Sequence, residues 1–244
     1  MKPASGMPPQ RSHHRTILRC DQRAVPPGSG VICAPAPLCS VTFASCYVYS
    51  PRAHGWLAEA SRRLCDRVKS SDPVWLPRYA GFVYRSSLWD RQLSALFSPD
   101  AVLVPVPGSA CSGEGPWVAS RLALALSEVG FALPIWMGLR RRYAVTKSAT
   151  APSAGRPTVY QHYDSFAAEA PANTVHRLVL IDDVITKGRT LLAAAARLGS
   201  ELPLADIRGF ALIRTVGFVH QIKRLEDSCH GVVRWAGGDA RREP

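Results

Sequence analysis

Apolar positions along this chain follow two rhythms, continuous short runs and helical spacing, and they alternate along its length. Val41 to Tyr49 is β-branched and aromatic, which predicts a strand, and Ser50-Pro51-Arg52 ends it. From Leu57 to Val68, apolar or small residues at 57, 58, 60, 64, 65 and 68 trace one helical face, with Arg62, Arg63 and Arg67 turned outward. A further helix is predicted within 74–97, starting near Leu88 and stopped by Pro99. Ala101 to Pro107 reads as a strand running into a Pro-punctuated turn. Pro116 opens a helix that leaves at Gly130. Phe131 to Met137 reads as the next strand, and 138–163 has little regularity.

Leu178 to Ile181 is an unbroken apolar run, as in a strand buried on both faces. Thr190 to Leu198 is Ala- and Leu-rich and closes at Gly199, which predicts a helix. Ala205 to Thr215 reads as another strand. A helix-like piece (FVHQIKRLED) separates it from an edge strand at Val232 to Trp235. Gly237 and Gly238 break the pattern, leaving a solvated tail.

Strands that alternate with helices predict an α/β fold with a mostly parallel sheet flanked by helices. The expected organisation is a basic tail without fixed structure at 1–30 and N-terminal strand and helix elements at 31–97. A core follows at 98–236, with its central part at about 98–216, and a tail at 237–244. The opening 30 residues are rich in Pro, Gly, Ser, Arg and His and hold too little apolar surface to offset ordering entropy. His13 and His14 are read as part of that tail, and Met7 is a second candidate start.

Composition narrows this only in part. Hydrophobic residues make up 47% of the 244, enough for a packed core. No apolar run reaches the ~18 residues of a spanning helix, so no membrane partner is expected. The first residues lack the apolar stretch of a secretory leader. Seven cysteines are scattered, and the wide spacing of Cys33, Cys39 and Cys46 disfavours, without excluding, a zinc knuckle. Reduced, mostly buried thiols in a cytoplasmic protein are expected. The formal net charge is +12. It suits an anionic small ligand, and nucleic acid is the less favoured partner because no basic stretch is interleaved with aromatics.

The chemistry concentrates in RLVLIDDVITKGRTLLAAAARLG, residues 177–199. Asp182 and Asp183 stand at the end of a buried strand, where open α/β sheets bind ligands. A short turn then leads into a helix, whose first N–H groups lack partners and lie at the positive end of its dipole. Gly188 allows an anion close to the backbone there, and the Thr186 and Thr190 hydroxyls add donors. Two carboxylates beside a phosphate cup suit a ligand with phosphate at one end and hydroxyls or Mg²⁺ at the other.

This stretch resembles the phosphoribosyl-pyrophosphate (PRPP) signature of the type I phosphoribosyltransferases. Asp182 and Asp183 match its acidic pair, and Thr186-Lys187-Gly188-Arg189-Thr190 its Thr-x-Gly-x-Thr loop. The resemblance implies that Asp182 and Asp183 hold the ribose hydroxyls and, through PRPP, a Mg²⁺ ion. It implies that Thr186, Lys187, Gly188, Arg189 and Thr190 enclose the 5′-phosphate. Val106, Pro107, Gly108 and Ser109 match the family's pyrophosphate loop, and Arg140, Arg141 and Lys147, with Arg142 and Arg156, are cations for the diphosphate from its mobile loop. Residues 41–97 are then expected as part of the hood over the acceptor, or as a packing layer behind the sheet. The Val104-Pro105-Val106-Pro107 run is similar to the competence protein F-like branch, although Gly115-Pro116-Trp117 stands where that branch carries Gly-Phe-Asn-Gln.

The implied activity is Mg²⁺-dependent transfer of phosphoribosyl from PRPP to a nitrogenous base or amine, releasing pyrophosphate. Partners are PRPP and a small acceptor, with a homodimer left open. The alternatives are a non-catalytic sensor of PRPP or nucleotides on the same fold, and a DNA-uptake accessory protein. His162, Tyr163 and Asp164 form a polar cluster, and a lone histidine there is first read as a structural hydrogen-bonder.

Overall fold

The computed structural model describes residues 40–110, 116–146, 155–171, 173–217 and 219–244. The N-terminal tail, with His13, His14, Cys33 and Cys39, lies outside them, as do Gly115 and Lys147.

The first strand, β1 (Ser40–Tyr49), is followed by helices α1 (Trp56–Lys69), α2 (Trp75–Ser87) and α3 (Arg91–Leu96). Strand β2 (Ala101–Pro105) leads to α4 (Val118–Leu126), and a small hairpin, β3 (Leu139–Arg141) with β4 (Phe166–Ala168), encloses α5 (Val159–Ser165). Then come β5 (Arg177–Ile185), α6 (Arg189–Glu201), β6 (Asp206–Thr215), β7 (Glu226–Ala236) and β8 (Asp239–Glu243). The main sheet has six strands in the order β2-β5-β6-β1-β7-β8. The first four are parallel, and β7 and β8 add antiparallel. The fold is therefore α/β, with a mostly parallel mixed sheet flanked by helices.

Alternating strand residues feed two cores. Val179 and Ile181 pack with Leu64, Leu76, Tyr79, Leu93 and Leu122 from α1–α4. Leu178 and Leu180 pack with Leu191, Leu192 and Leu198 of α6 and Val159 of α5. Each of these leucines is essentially removed from water, and full burial of a Leu contributes about 2 kcal/mol. Helices on both faces of the sheet are thus present as the sequence pattern predicts, although α2 lies outside the helices read from the spacing.

Several expectations are corrected. β1 is neither hood nor a layer behind the sheet, because it lies inside the sheet between β6 and β7. The helices after it form one of the two flanking layers. The helix expected from Leu88 is preceded by α2, and Leu88 is only that helix's C-cap. Pro77 is tolerated in the first turn, where no intrahelical N–H is needed, and the Asp72 carboxylate accepts from Val74 N at 2.9 Å and Trp75 N at 3.2 Å. Residues 131–137 are not a strand. Phe131 closes a π-turn, Ala132 is left-handed at φ 52°, and Pro134 has no N–H to donate. Only Ile135 bridges to Leu103. Within 138–163, the arginines at 140 and 141 sit in β3 and the far end is α5, not an irregular loop. The piece before β7 is not helical among the described residues, and β7 is not the edge.

The C-terminal tail is likewise ordered. Gly237 and Gly238 take φ of 56° and 97°, the double positive φ that suits a tight two-residue hairpin, and β8 pairs back on β7 as the edge strand. Among the described residues no helix is long and apolar enough to cross a membrane. Cys46, Cys65 and Cys229 are free thiols, and burial pushes Cys46 up to about 12, so it is inert at neutral pH.

Candidate functional site

The parallel strands β1, β2, β5 and β6 end on one rim, and the acidic pair lies one step below it. Asp182 pairs with Ala211 of β6, while β5 continues through Val184 and Ile185 before turning. Strand β2 is shorter and ends opposite Ile181. Val106 N donates to Ile181 O at 2.9 Å, so the 106–109 loop starts beside the residue that precedes the acids. Trp117 Nε1 donates to Val106 O at 2.9 Å, and Val145 N to Ser109 O at 2.8 Å, which anchors both ends of that loop.

Both acids are half-buried. Burial raises the Asp182 carboxyl well above its ordinary range, and the neighbouring Asp183 carboxylate raises it further, with the Arg141 guanidinium opposing both. Asp183 N donates to Asp182 Oδ1 at 2.9 Å. Asp183 lies within electrostatic reach of Cys65 on α1. Two unlike-charged neighbours and a shifted carboxyl at a strand end are the kind of environment that binds ligands or cations.

The loop into α6 is built as the sequence implied at the backbone but not at every side chain. Gly188 takes φ 83° as the N-cap residue, and no side chain caps the helix. The first-turn N–H groups of this 13-residue helix thus receive nothing from an N-cap side chain. Gly188 is required for a reason beyond anion approach: a Cβ there would lie 2.5 Å from Val233 Cγ2. Thr186 Oγ1 lies 3.0 Å from Thr215 Oγ1, on the rim.

Lys187 and Arg189 do not enclose open space. The Asp239 carboxylate accepts from Arg189 Nε at 2.5 Å and Nη2 at 2.7 Å, and from Lys187 Nζ at 3.0 Å. Arg189, with Lys187 after it, holds the Asp239 carboxyl well below the usual carboxylate range. The neighbouring Arg242 donates to Ile185 O at 2.9 Å and Thr215 O at 2.7 Å. The segment expected to be a solvated tail therefore braces the signature loop. Its alternating pattern is too short and too charged to mark it as a strand by sequence.

The arginines of β3 separate. Arg140 faces outward and pairs with Glu169 at 2.5 Å, with both side chains more than half exposed. Arg141 points the other way and is 6% exposed. It donates to Gly108 O and to Ser165 Oγ, and its Nη2 lies 3.1 Å from His162 Nδ1. Its guanidinium stacks over the Phe166 ring at 4.3 Å. Of the two, only Arg141 is joined to the pyrophosphate-loop candidate, and it is joined to that loop's backbone rather than turned to solvent.

His162 is the buried hydrogen-bonder that the sequence reading expects. It is 3% exposed, and its Nε2 lies 3.4 Å from Thr190 Oγ1. The overlooked signal is Thr158-x-x-Gln161. Gln161 N donates to Thr158 Oγ1 at 3.2 Å and Thr158 N to Gln161 Oε1 at 2.8 Å, a capping box that starts α5 and turns His162 inward.

Burial lowers His162 to about 4, helped by the charges of Arg141 and Arg189. The unfolded chain protonates this histidine near 6.5 and the folded protein does not until about 4. The linked stability is therefore lost as pH falls across that window, by on the order of 3 kcal/mol. Urea unfolding of wild type and His162→Gln at pH 7 and pH 4.5 should show the variant losing less over that interval. An equal loss in both would place the linkage on another group.

No family model matches the chain, and no curated protein matches it.

Proposed function

We propose that the chain binds PRPP and transfers its phosphoribosyl group to a nitrogenous base or amine, on a core of the type I phosphoribosyltransferase kind. The observation that carries this reading is the placement of three features at one end of the parallel strands: the acid pair, the α6 N-terminus that follows it in the chain and lacks a side-chain cap, and the 106–109 loop that leaves β2 beside Ile181. A bare phosphate would be repelled by Asp182 and Asp183. A sugar phosphate presents its anion to the helix and its hydroxyls to the acids, so the arrangement favours that class of ligand.

Asp182 and Asp183 are hard oxygen donors, and Mg²⁺ is commonly held by one or two carboxylates together with substrate oxygens. The donor set fits that ion, although among the described residues no cluster of three acidic, His or Cys ligands occurs. When bound, the ion would absorb charge on the departing diphosphate. The chain's own contribution is positioning. Asp182 and Asp183 hold the diol, the α6 N–H groups and the Thr186 and Thr190 hydroxyls hold the 5′-phosphate, and the 106–109 backbone receives the diphosphate. No protein nucleophile is required.

The second reading, a non-catalytic sensor, draws support from Asp239. A site whose loop cations are already neutralised binds its anion through backbone and hydroxyl groups alone. Pyrophosphate release, followed with PRPP, Mg²⁺ and a panel of purine, pyrimidine and amine acceptors, separates the two. Turnover with at least one acceptor is expected; PRPP binding without turnover on any acceptor would replace the enzyme by the sensor.

A further inference from the structure

A buried arginine is costly, because desolvating its charge loses several kcal/mol unless fixed partners replace the water. Arg141 is such a residue, and its partners have a pattern. One nitrogen reaches the backbone of the loop after β2, at Gly108 O. Another reaches Ser165, whose Oγ donates to His162 O at 2.7 Å. A third faces His162 Nδ1.

A guanidinium can only donate, so Nδ1 must carry the lone pair. The neutral imidazole then holds its proton on Nε2, which faces Thr190 Oγ1. Thr190 accepts there, and its own O–H is left to be donated elsewhere, at the second position of α6. The donors run outward from Arg141, on one side to Gly108 O and on the other through His162 to Thr190 of the phosphate loop.

We propose that Arg141 and His162 are positioning residues, a buried relay that locks the 106–109 loop and the α6 N-terminus into one mutual geometry and orients the Thr190 hydroxyl toward a bound phosphate. This rests on the PRPP reading of the site. The relay serves a ligand that must touch both loops at once, and it is indifferent to a ligand that touches only one. Arg141 is thereby reassigned from a contact of the diphosphate to a brace behind the loop that would receive it.

The test uses the full chain and three probes by calorimetry with Mg²⁺: PRPP, ribose 5-phosphate and inorganic pyrophosphate. His162→Leu removes both ring contacts. His162→Gln keeps one acceptor and one donor on the side chain. Loss of two ordered hydrogen bonds predicts PRPP weakened about thirtyfold in the Leu variant, with each half-ligand within about threefold of wild type. The Gln variant should recover most of the PRPP affinity. Unchanged PRPP affinity in the Leu variant overturns the relay, and so does an equal loss for all three probes, which would mean general damage. Nitrogen-15 shifts of His162 in the wild-type protein at pH 7 should report a bare Nδ1 and a protonated Nε2. The opposite tautomer overturns the relay even if the Leu variant fails to fold. Wild-type protein that binds no PRPP would instead sink the donor reading, and the same spectrum would still decide the tautomer.

Discussion

Replacing both acids, Asp182→Asn with Asp183→Asn, should lower Mg²⁺-dependent PRPP affinity by about a hundredfold or more, and should not unfold the protein. The size follows from the loss of two charged acceptors to a sugar diol and its ion, each worth about 1.5–3 kcal/mol as a charge-assisted bond. The folding side has the opposite sign. Asp182 is held protonated to higher pH in the folded state than in the unfolded chain, by burial and then by Asp183. As pH rises through the unfolded value near 3.9, the unfolded state gains a charge that the folded state resists, so Asp182 destabilises the fold at neutral pH. The single variant Asp182→Asn should therefore be more stable than wild type at pH 7, and the gain should vanish as pH falls below the unfolded value. Binding calorimetry and thermal melts across pH check the two halves separately. Tight PRPP binding by the double variant would remove the acids from the ligand, and a destabilised single variant would contradict the burial argument.

That opposition of function and stability explains why residues 177–199 were readable in the sequence. A buried apolar run that ends on two adjacent acids is locally unfavourable, and a local conflict of this kind marks a site. The strand, the glycine and the helix after it carry their own signals over a few residues, so β5 and α6 appear where the pattern placed them. What lay beyond the sequence is long-range. Nothing in Val41 to Tyr49 says that β1 inserts between β6 and β7, because its apolar residues would serve any central strand. Nothing in DARRE says that Asp239 will meet Arg189, fifty residues earlier in the chain. The adjacent arginines Arg140 and Arg141 are indistinguishable by type, and only the two-residue period of β3 sends one to solvent and the other inside. His162 was partly readable, since its capping box is local, but its partners are not.

The C-terminal hairpin changes what Gly188 is for, and substitution there should have the largest effect on folding. Gly188→Ala must adopt φ 83°, which costs an L-residue about 1 kcal/mol or somewhat more. Its Cβ must also displace Val233, whose Cγ2 and Cγ1 would lie 2.5 and 2.8 Å away. Val233 is wholly buried in the core beneath α6 and has no slack, and overpacking of this sort costs roughly 1–3 kcal/mol. Together the variant should lose about 3 kcal/mol, a fall in Tm of roughly 6–12 °C for a chain of this size. Val233→Ala alone opens a cavity and costs about 2 kcal/mol. The double variant should be less destabilised than the sum of the singles, because the new methyl group enters the space that Val233 gives up. Urea unfolding of the four proteins yields the coupling directly. A coupling of about 1–3 kcal/mol is expected, and it would leave only the backbone cost at Gly188. Strict additivity would mean that β7 does not press on the phosphate loop, and that the glycine is held there by its backbone conformation and by the ligand alone.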